Sequence, residues 1–237
     1  MAEPKRILVV ASHPDDEVLG CGGTMAAHAD VDDVVDVLIV VEGATSREAR
    51  RDTGAQSEAQ AEALTALQQS ACDAAAVLGA RKPYFLGLPD NRLDGMELLE
   101  VIKPIEALIN ELKPQVIYTQ HGGDLNVDHR IVHQAVVTAC RPVPGACVHA
   151  IYGYETVSST EWASGTMGGV FHPIRFVDIS KTLERKRKAL ACYASEMRPF
   201  PHARSLEGLE ALARWRGVSA GVEAAEAFTV VREIASF

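Results

Sequence analysis

Short unbroken apolar runs and longer segments with a helical repeat take turns along the first two thirds of the chain. Ile7-Leu8-Val9-Val10-Ala11 has no polar face to leave in water and predicts a buried parallel strand over about 6–12. Val34–Val41 repeats the pattern with β-branched residues, and Tyr84–Leu88 and Val116–Thr119 are shorter versions. Between them lie segments of helical character. These are about Glu17–Ala29, an alanine-rich stretch Glu58–Leu78 stopped by Gly79, and Met96–Leu112. In the last, Leu98, Leu99, Ile102, Ile105, Leu108, Ile109 and Leu112 recur at three and four residues, one face of a helix. Asp128–Cys140 predicts a further helix. Glu42–Gln56 is polar and contains Gly43, Gly54 and Arg47, Arg50 and Arg51, so it reads as a mobile loop.

A strand–helix unit repeated four times predicts a parallel sheet with right-handed crossovers. After Pro142 the texture changes. Strands are expected at His149–Thr156, Arg175–Ile179 and Phe228–Ile234, and helices at Thr182–Tyr193 and Leu206–Trp215. The expected fold class is α/β: a Rossmann-like, mostly parallel sheet with helices on both faces and C-terminal elaborations. No repeat, low-complexity tract or long linker divides the chain, so one domain over 1–237 is expected.

Composition narrows the functional classes. The chain has 237 residues, 47% of them hydrophobic, and a net charge of −9. That acidic balance argues against nucleic acid as a partner, because phosphate binding needs a basic face. The one basic cluster, Lys181 with Arg185, Lys186, Arg187 and Lys188, reads as a solvated helix face paired with Glu184 and its neighbours. Five widely spaced cysteines with no Cys-x-x-Cys fit small buried hydrophobes in a reducing, cytoplasmic setting. No apolar run is long enough to span a membrane, and the first residues lack the pattern of a signal peptide.

Chemistry concentrates where two of the predicted strands end. Ser12-His13-Pro14-Asp15-Asp16-Glu17 follows the first strand, and His121-Gly122-Gly123-Asp124-Leu125-Asn126-Val127-Asp128-His129 follows the fourth. In a doubly wound sheet these strands flank the topological switch, so both ends open on one crevice. Packing gains nothing from three adjacent acids, and a divalent metal is the simplest compensating charge. Two imidazoles and a carboxylate with an open position suit catalytic zinc. A closed structural zinc site would call for cysteine ligands at a spacing absent here. Gly20, Gly22 and Gly23 miss the Gly-x-Gly-x-x-Gly spacing and read as close helix–sheet packing.

Ser-His-Pro-Asp-Asp-Glu after the first strand, with Asn-x-Asp-His after the fourth, resembles the PIG-L/LmbE family of zinc-dependent de-N-acetylases. Those motifs extend the resemblance over about residues 5–140. It implies an LmbE-like fold and hydrolysis of an N-acetyl group on an acetamido sugar or conjugate, N-acetylglucosamine above all. Carried over residue by residue, His13, Asp16 and His129 are the zinc ligands and Asp15 the general base. Other divalent transition metals suit the same donors. The resemblance further allows a homo-oligomer.

Two departures from the family pattern stand out. The first His of the family's His-Pro-Asp-His is Asn126 here, which donates a hydrogen bond to an oxyanion but shuttles no proton. Either Asp15 then makes both proton transfers or another histidine stands in, His121 first and His202 second. The family's Arg-x-x-Glu on the helix before Leu78 is Leu67-Gln68-Gln69-Ser70 here, so a substrate contact is missing or moved to Arg47, Arg50, Arg51 or Arg92. Asp128 is expected to orient a histidine. Asp90 is expected to meet a sugar hydroxyl, with a plain Pro-Asp-Asn turn as the alternative. Glu17 stands evenly between fixing a ligand and starting a helix, and Trp162 and Trp215 between lining a cleft and packing. An amidase acting on a non-sugar N-acyl conjugate at the same metal site remains the alternative function.

Overall fold

The computed structural model describes residues 3–43, 58–166 and 168–235. Their strands are β1 (Arg6–Ala11), β2 (Val34–Val41), β3 (Tyr84–Leu88), β4 (Val116–Gln120), β5 (Ala150–Tyr154), β6 (Arg175–Asp178) and β7 (Ala225–Glu233). Their helices are α1 (Asp16–Ala29), α2 (Glu58–Leu78), α3 (Leu98–Leu112), α4 (Val127–Ala139), α5 (Leu183–Cys192) and α6 (Leu206–Ala220). The strands form one seven-stranded sheet in the order β3-β2-β1-β4-β5-β7-β6. β1 to β5 pair in parallel, and β7 runs antiparallel to both β5 and β6.

The period of two along β1 explains why it is apolar throughout. Ile7, Val9 and Ala11 join a core with residues of α1, α2 and α5, while Leu8 and Val10 join a second core with residues of α3 and α4. Both faces are covered, so neither can be polar. The crossover direction reverses between β1 and β4, and their C-terminal ends open side by side on one edge of the sheet.

α1 follows β1 with almost no connecting chain, and small residues make that possible. A Cβ on Gly20 would run into the Tyr154 ring, and one on Gly23 would lie 2.8 Å from Ile179. Gly20→Ala is therefore expected to cost about 1–3 kcal/mol or more by overpacking. A lowered denaturation midpoint measures this, with Gly95→Ala, where a Cβ meets nothing within 4 Å, as the near-neutral control.

Two expectations change. α6 runs to Ala220 and not to Trp215, and it passes through Gly217, where a Cβ would sit 2.7 Å from the Val222 carbonyl. Gly217 admits the returning chain, and Gly221, with φ 75°, ends the helix. The basic cluster is not one solvated face. Arg187 pairs with Glu184 at 3.2 Å, but Lys186 is buried and donates to Glu226 at 2.5 Å and to the Leu19 carbonyl at 2.8 Å. All five cysteines are free. Among the described residues no helix is long and apolar enough to cross a membrane.

Candidate metal centre and its cavity

The sharp β1–α1 turn sets the site. Asp15 occupies its corner with φ 115°, a backbone region that favours glycine, and its carboxylate makes no bond to the helix it precedes. Glu17 secures the corner from within: its Oε2 accepts from the Asp15 backbone N–H at 3.1 Å, and its Oε1 accepts from the buried Tyr193 hydroxyl at 2.6 Å. Across the crevice, Asn126 caps α4 by accepting from the Asp128 N–H at 2.8 Å. That cap delivers Asp128 and His129 on the first turn, both buried.

Three donor atoms meet between the two helix starts. His13 Nδ1 lies 3.1 Å from Asp16 Oδ2 and 3.2 Å from His129 Nε2, and His129 Nε2 lies 3.1 Å from Asp16 Oδ2. A tetrahedral ion with bonds of about 2.0–2.1 Å holds neighbouring donors about 3.3 Å apart, so the triangle is nearly preformed for one. The other carboxylate oxygen, Asp16 Oδ1, is buried without a hydrogen-bond partner among the described residues. A second grouping, His13 with Asp90 and Asp128, fits an ion less well. There Asp128 already accepts from the N–H groups of Asn91 and Leu93 at 2.6 and 3.2 Å, and Asp90 from the Asn91 side chain at 2.9 Å.

Those acids instead back the imidazoles. His13 Nε2 is 3.1 Å from Asp90 and 3.3 Å from Asp128, and His129 Nδ1 is 3.1 Å from Asp124, ion-pair distances without the alignment of a hydrogen bond. Asp124 is itself held by the hydroxyls of Ser159 and Thr160, the latter at 2.5 Å. A carboxylate behind a ligating histidine fixes its tautomer and strengthens it as a donor. Asp124→Asn is accordingly expected to weaken divalent-metal affinity about 10–100-fold, read by competition with a chromophoric chelator.

Electrostatics say the same. Burial disfavours a charged His129, but Asp16 and Asp124 outweigh it and hold its pKa up at about 9. Burial also works on Asp16, and there His129 and His13 prevail and keep it well below the usual carboxylate range. The triangle thus demands a positive charge, a proton in the absence of a cation. Asp15 differs. Burial, helped by Asp16, Glu196 and Glu17, pushes it up to about 8 against the pull of Arg204, 2.6 Å away. A dication in the triangle would pull with Arg204.

A cavity of about 280 Å³ opens above the triangle. His13, Asp15, Asp90 and Asn126 form its floor, and Leu67, Trp162, His202 and Arg204 stand among its walls. The expected site residues divide accordingly. His13, Asp16 and His129 converge, Asp15 and Asn126 face the cavity, and Asp128 backs His13. Asp90 lines the cavity but also backs His13. His121 does not line it: its ring packs edge-on against Phe171, with Nε2 3.4 Å from the Gly169 carbonyl. The structure does not bring His121 to the cavity, whereas His202 lines it. Arg92 opens on a separate depression and not on this cavity. Arg47, Arg50 and Arg51 lie outside the described residues. Trp162 lines the cavity and Trp215 does not. Arg204, Glu196 and Ser158 were not anticipated. They come from segments after β5 and α5 that carry no motif, so nothing local marked them.

A family model described as PIG-L, GlcNAc-PI de-N-acetylase, matches residues 8–140. The uncharacterized deacetylase YaiS of Escherichia coli K12 is 30% identical over 176 residues, spanning 72% of this chain and 83% of that protein. The fold resembles the N,N'-diacetylchitobiose deacetylase of Pyrococcus horikoshii, with a TM-score of 0.75 and 21% identity over 97% of this chain and 85% of that one. It equally resembles GalB, the 4-carboxy-2-hydroxymuconate hydratase of Pseudomonas putida KT2440, with a TM-score of 0.77 and 20% identity over 98% of each chain. Proteins of this fold thus include a hydratase as well as a deacetylase, and the chemistry of this chain has to be argued from its site.

Proposed function

The chain belongs to the PIG-L family of de-N-acetylases, and from that premise we propose that it removes the N-acetyl group from an acetamido sugar or sugar conjugate, using zinc held by His13, Asp16 and His129. The observation that carries this reading is the preformed triangle with a carboxylate beside it, Asp15, that is not part of it. A bound divalent ion supplies Lewis acidity toward the amide carbonyl and makes a water acidic near neutral pH. Asp15 takes the proton of the attacking water as the new C–O bond forms. It returns that proton to the amide nitrogen as the C–N bond breaks, so a neutral amine leaves together with acetic acid, which ionises to acetate. Asn126 offers its side-chain N–H to the carbonyl oxygen as charge develops there. His202 Nδ1 accepts from the Arg204 backbone N–H at 3.0 Å, which leaves its Nε2 as the proton-bearing nitrogen when the ring is neutral, for the substrate side. Asp124 and Asp128 hold the ligating imidazoles, and Asp90 and Trp162 meet the sugar.

The chain works as one α/β unit, and its free cysteines suit a reducing cytoplasm. Acetate and amine release are to be measured on N-acetylglucosamine and its phosphate, nucleotide and disaccharide derivatives, with metal-stripped protein and again after zinc addition. Zinc-restored turnover of one derivative supports the reading. Inactivity on all of them with stoichiometric zinc bound sinks the sugar assignment. It would favour an amidase of non-sugar N-acyl conjugates, for which one observation speaks: buried, apolar Leu67 lines the cavity on the helix where the family pattern carries a substrate-contacting arginine.

A further inference from the structure

We propose that Arg204 is the positioning residue of the general base: its guanidinium clamps Asp15 Oδ2 and so presents Oδ1 to the attacking water. The inference rests on the deacetylase reading above and goes beyond it, because the motifs that carry the resemblance end some sixty residues before Arg204.

Nothing local fixes the Asp15 carboxylate. Its backbone sits in a left-handed conformation and its side chain makes no bond to α1. The one side-chain hydrogen bond it makes among the described residues comes from Arg204 Nη1 at 2.6 Å. The other oxygen, Oδ1, is buried and has no hydrogen-bond partner there. The two oxygens of the base are thus made different, one held and one left for a proton.

Arg204 is itself built in. Its Nε donates to Ser158 Oγ at 2.8 Å, its Nη1 lies 3.8 Å from Glu196, and its backbone N–H donates to His202. The next residue, buried Ser205, caps α6 by accepting from the Gly208 N–H at 3.0 Å, which anchors the loop from below. Nε and Nη1 are thus committed to protein groups, Nη1 to the base itself. Arginine stays protonated throughout, so it exchanges no proton. The proton passes from water to Asp15 Oδ1 and then to the departing nitrogen, and Arg204 fixes which oxygen carries it.

The test is the series Arg204→Ala, Arg204→Lys, and Arg204→Ala with added guanidinium ion, assayed on whichever acyl amide the wild-type protein cleaves. For Arg204→Ala, kcat is expected to fall about 10²-fold, as for a misplaced catalytic group. KM should stay within about twofold, with zinc content at the wild-type level. Guanidinium should restore turnover saturably, and lysine should restore part of it. A raised KM with kcat intact would make Arg204 a substrate contact and overturn the inference, as would loss of zinc. A crystal structure of Arg204→Ala gives a readout that needs no substrate: Asp15 is expected in more than one rotamer, and an unchanged single rotamer would equally overturn it. Wild-type inactivity on every acetamido sugar would count against the sugar assignment and not against the clamp.

Discussion

Asp15→Asn is expected to keep its metal and to lose hydrolysis by about 10²–10⁴ in kcat. The substitution preserves the size of the side chain and its contact with Arg204, but an amide takes no proton at neutral pH. Asp15 lies outside the metal triangle, so its ligating atoms are not disturbed. The loss should therefore fall on kcat and leave KM and metal content near their wild-type values. Amide hydrolysis makes the effect large, because the nitrogen departs only after it has been protonated, and one carboxylate serves both transfers. Metal analysis beside steady-state kinetics checks this. Wild-type turnover by Asp15→Asn with zinc bound would remove Asp15 from the mechanism.

Stripping the metal, or replacing His129 by Gln, should abolish activity altogether. Zinc should restore it in the first case only. Glutamine keeps much of the volume but offers no ring nitrogen, so the triangle loses a corner. The thermal midpoint offers a second check. A metal that binds only the folded protein adds about 4 kcal/mol at a thousandfold excess over its Kd. Zinc should thus raise the midpoint of the wild-type protein and leave that of His129→Gln where it was. Binding should also depend on pH with a definite sign. His129 titrates near 9 in the metal-free protein, so below that pH a proton occupies the position the metal needs. Each proton displaced weakens apparent affinity about tenfold per pH unit lost, so binding at pH 7 is weaker than at pH 9 and releases protons. Affinity that stayed flat over this range would mean that His129 does not bind the metal.

The hydrophobic pattern alone located nearly every element, because strands buried on both faces must be apolar throughout and the helices between them carry a stripe. β2, α2 and β3 fall where the pattern puts them. α6 runs past the expected end at Trp215 and on through Gly217 to Ala220. Only the fold shows that a glycine is needed there to let residues 222–224 pass. The same difference runs through the site. His13, Asp15, Asp16 and His129 stand in compact motifs at strand ends, where local order dictates that side chains converge. Arg204, Ser158 and Trp162 each stand in ordinary surroundings.

By itself, then, the sequence determined the α/β architecture, the edge of the sheet on which the site opens, and the donors that face one another across it. The architecture and the edge follow from short-range periodicity and from the rule that parallel strands end on a common edge, and the donors were singled out by the resemblance of the two motifs to a known family. Tertiary structure alone decided which acid backs which imidazole, that His202 and not His121 faces the cavity, and that an arginine 189 residues further along the chain holds the base. Those choices depend on how the C-terminal segments fold back over the crevice. A contact between residues so far apart is set by the packing of the whole sheet, and no local pattern encodes it.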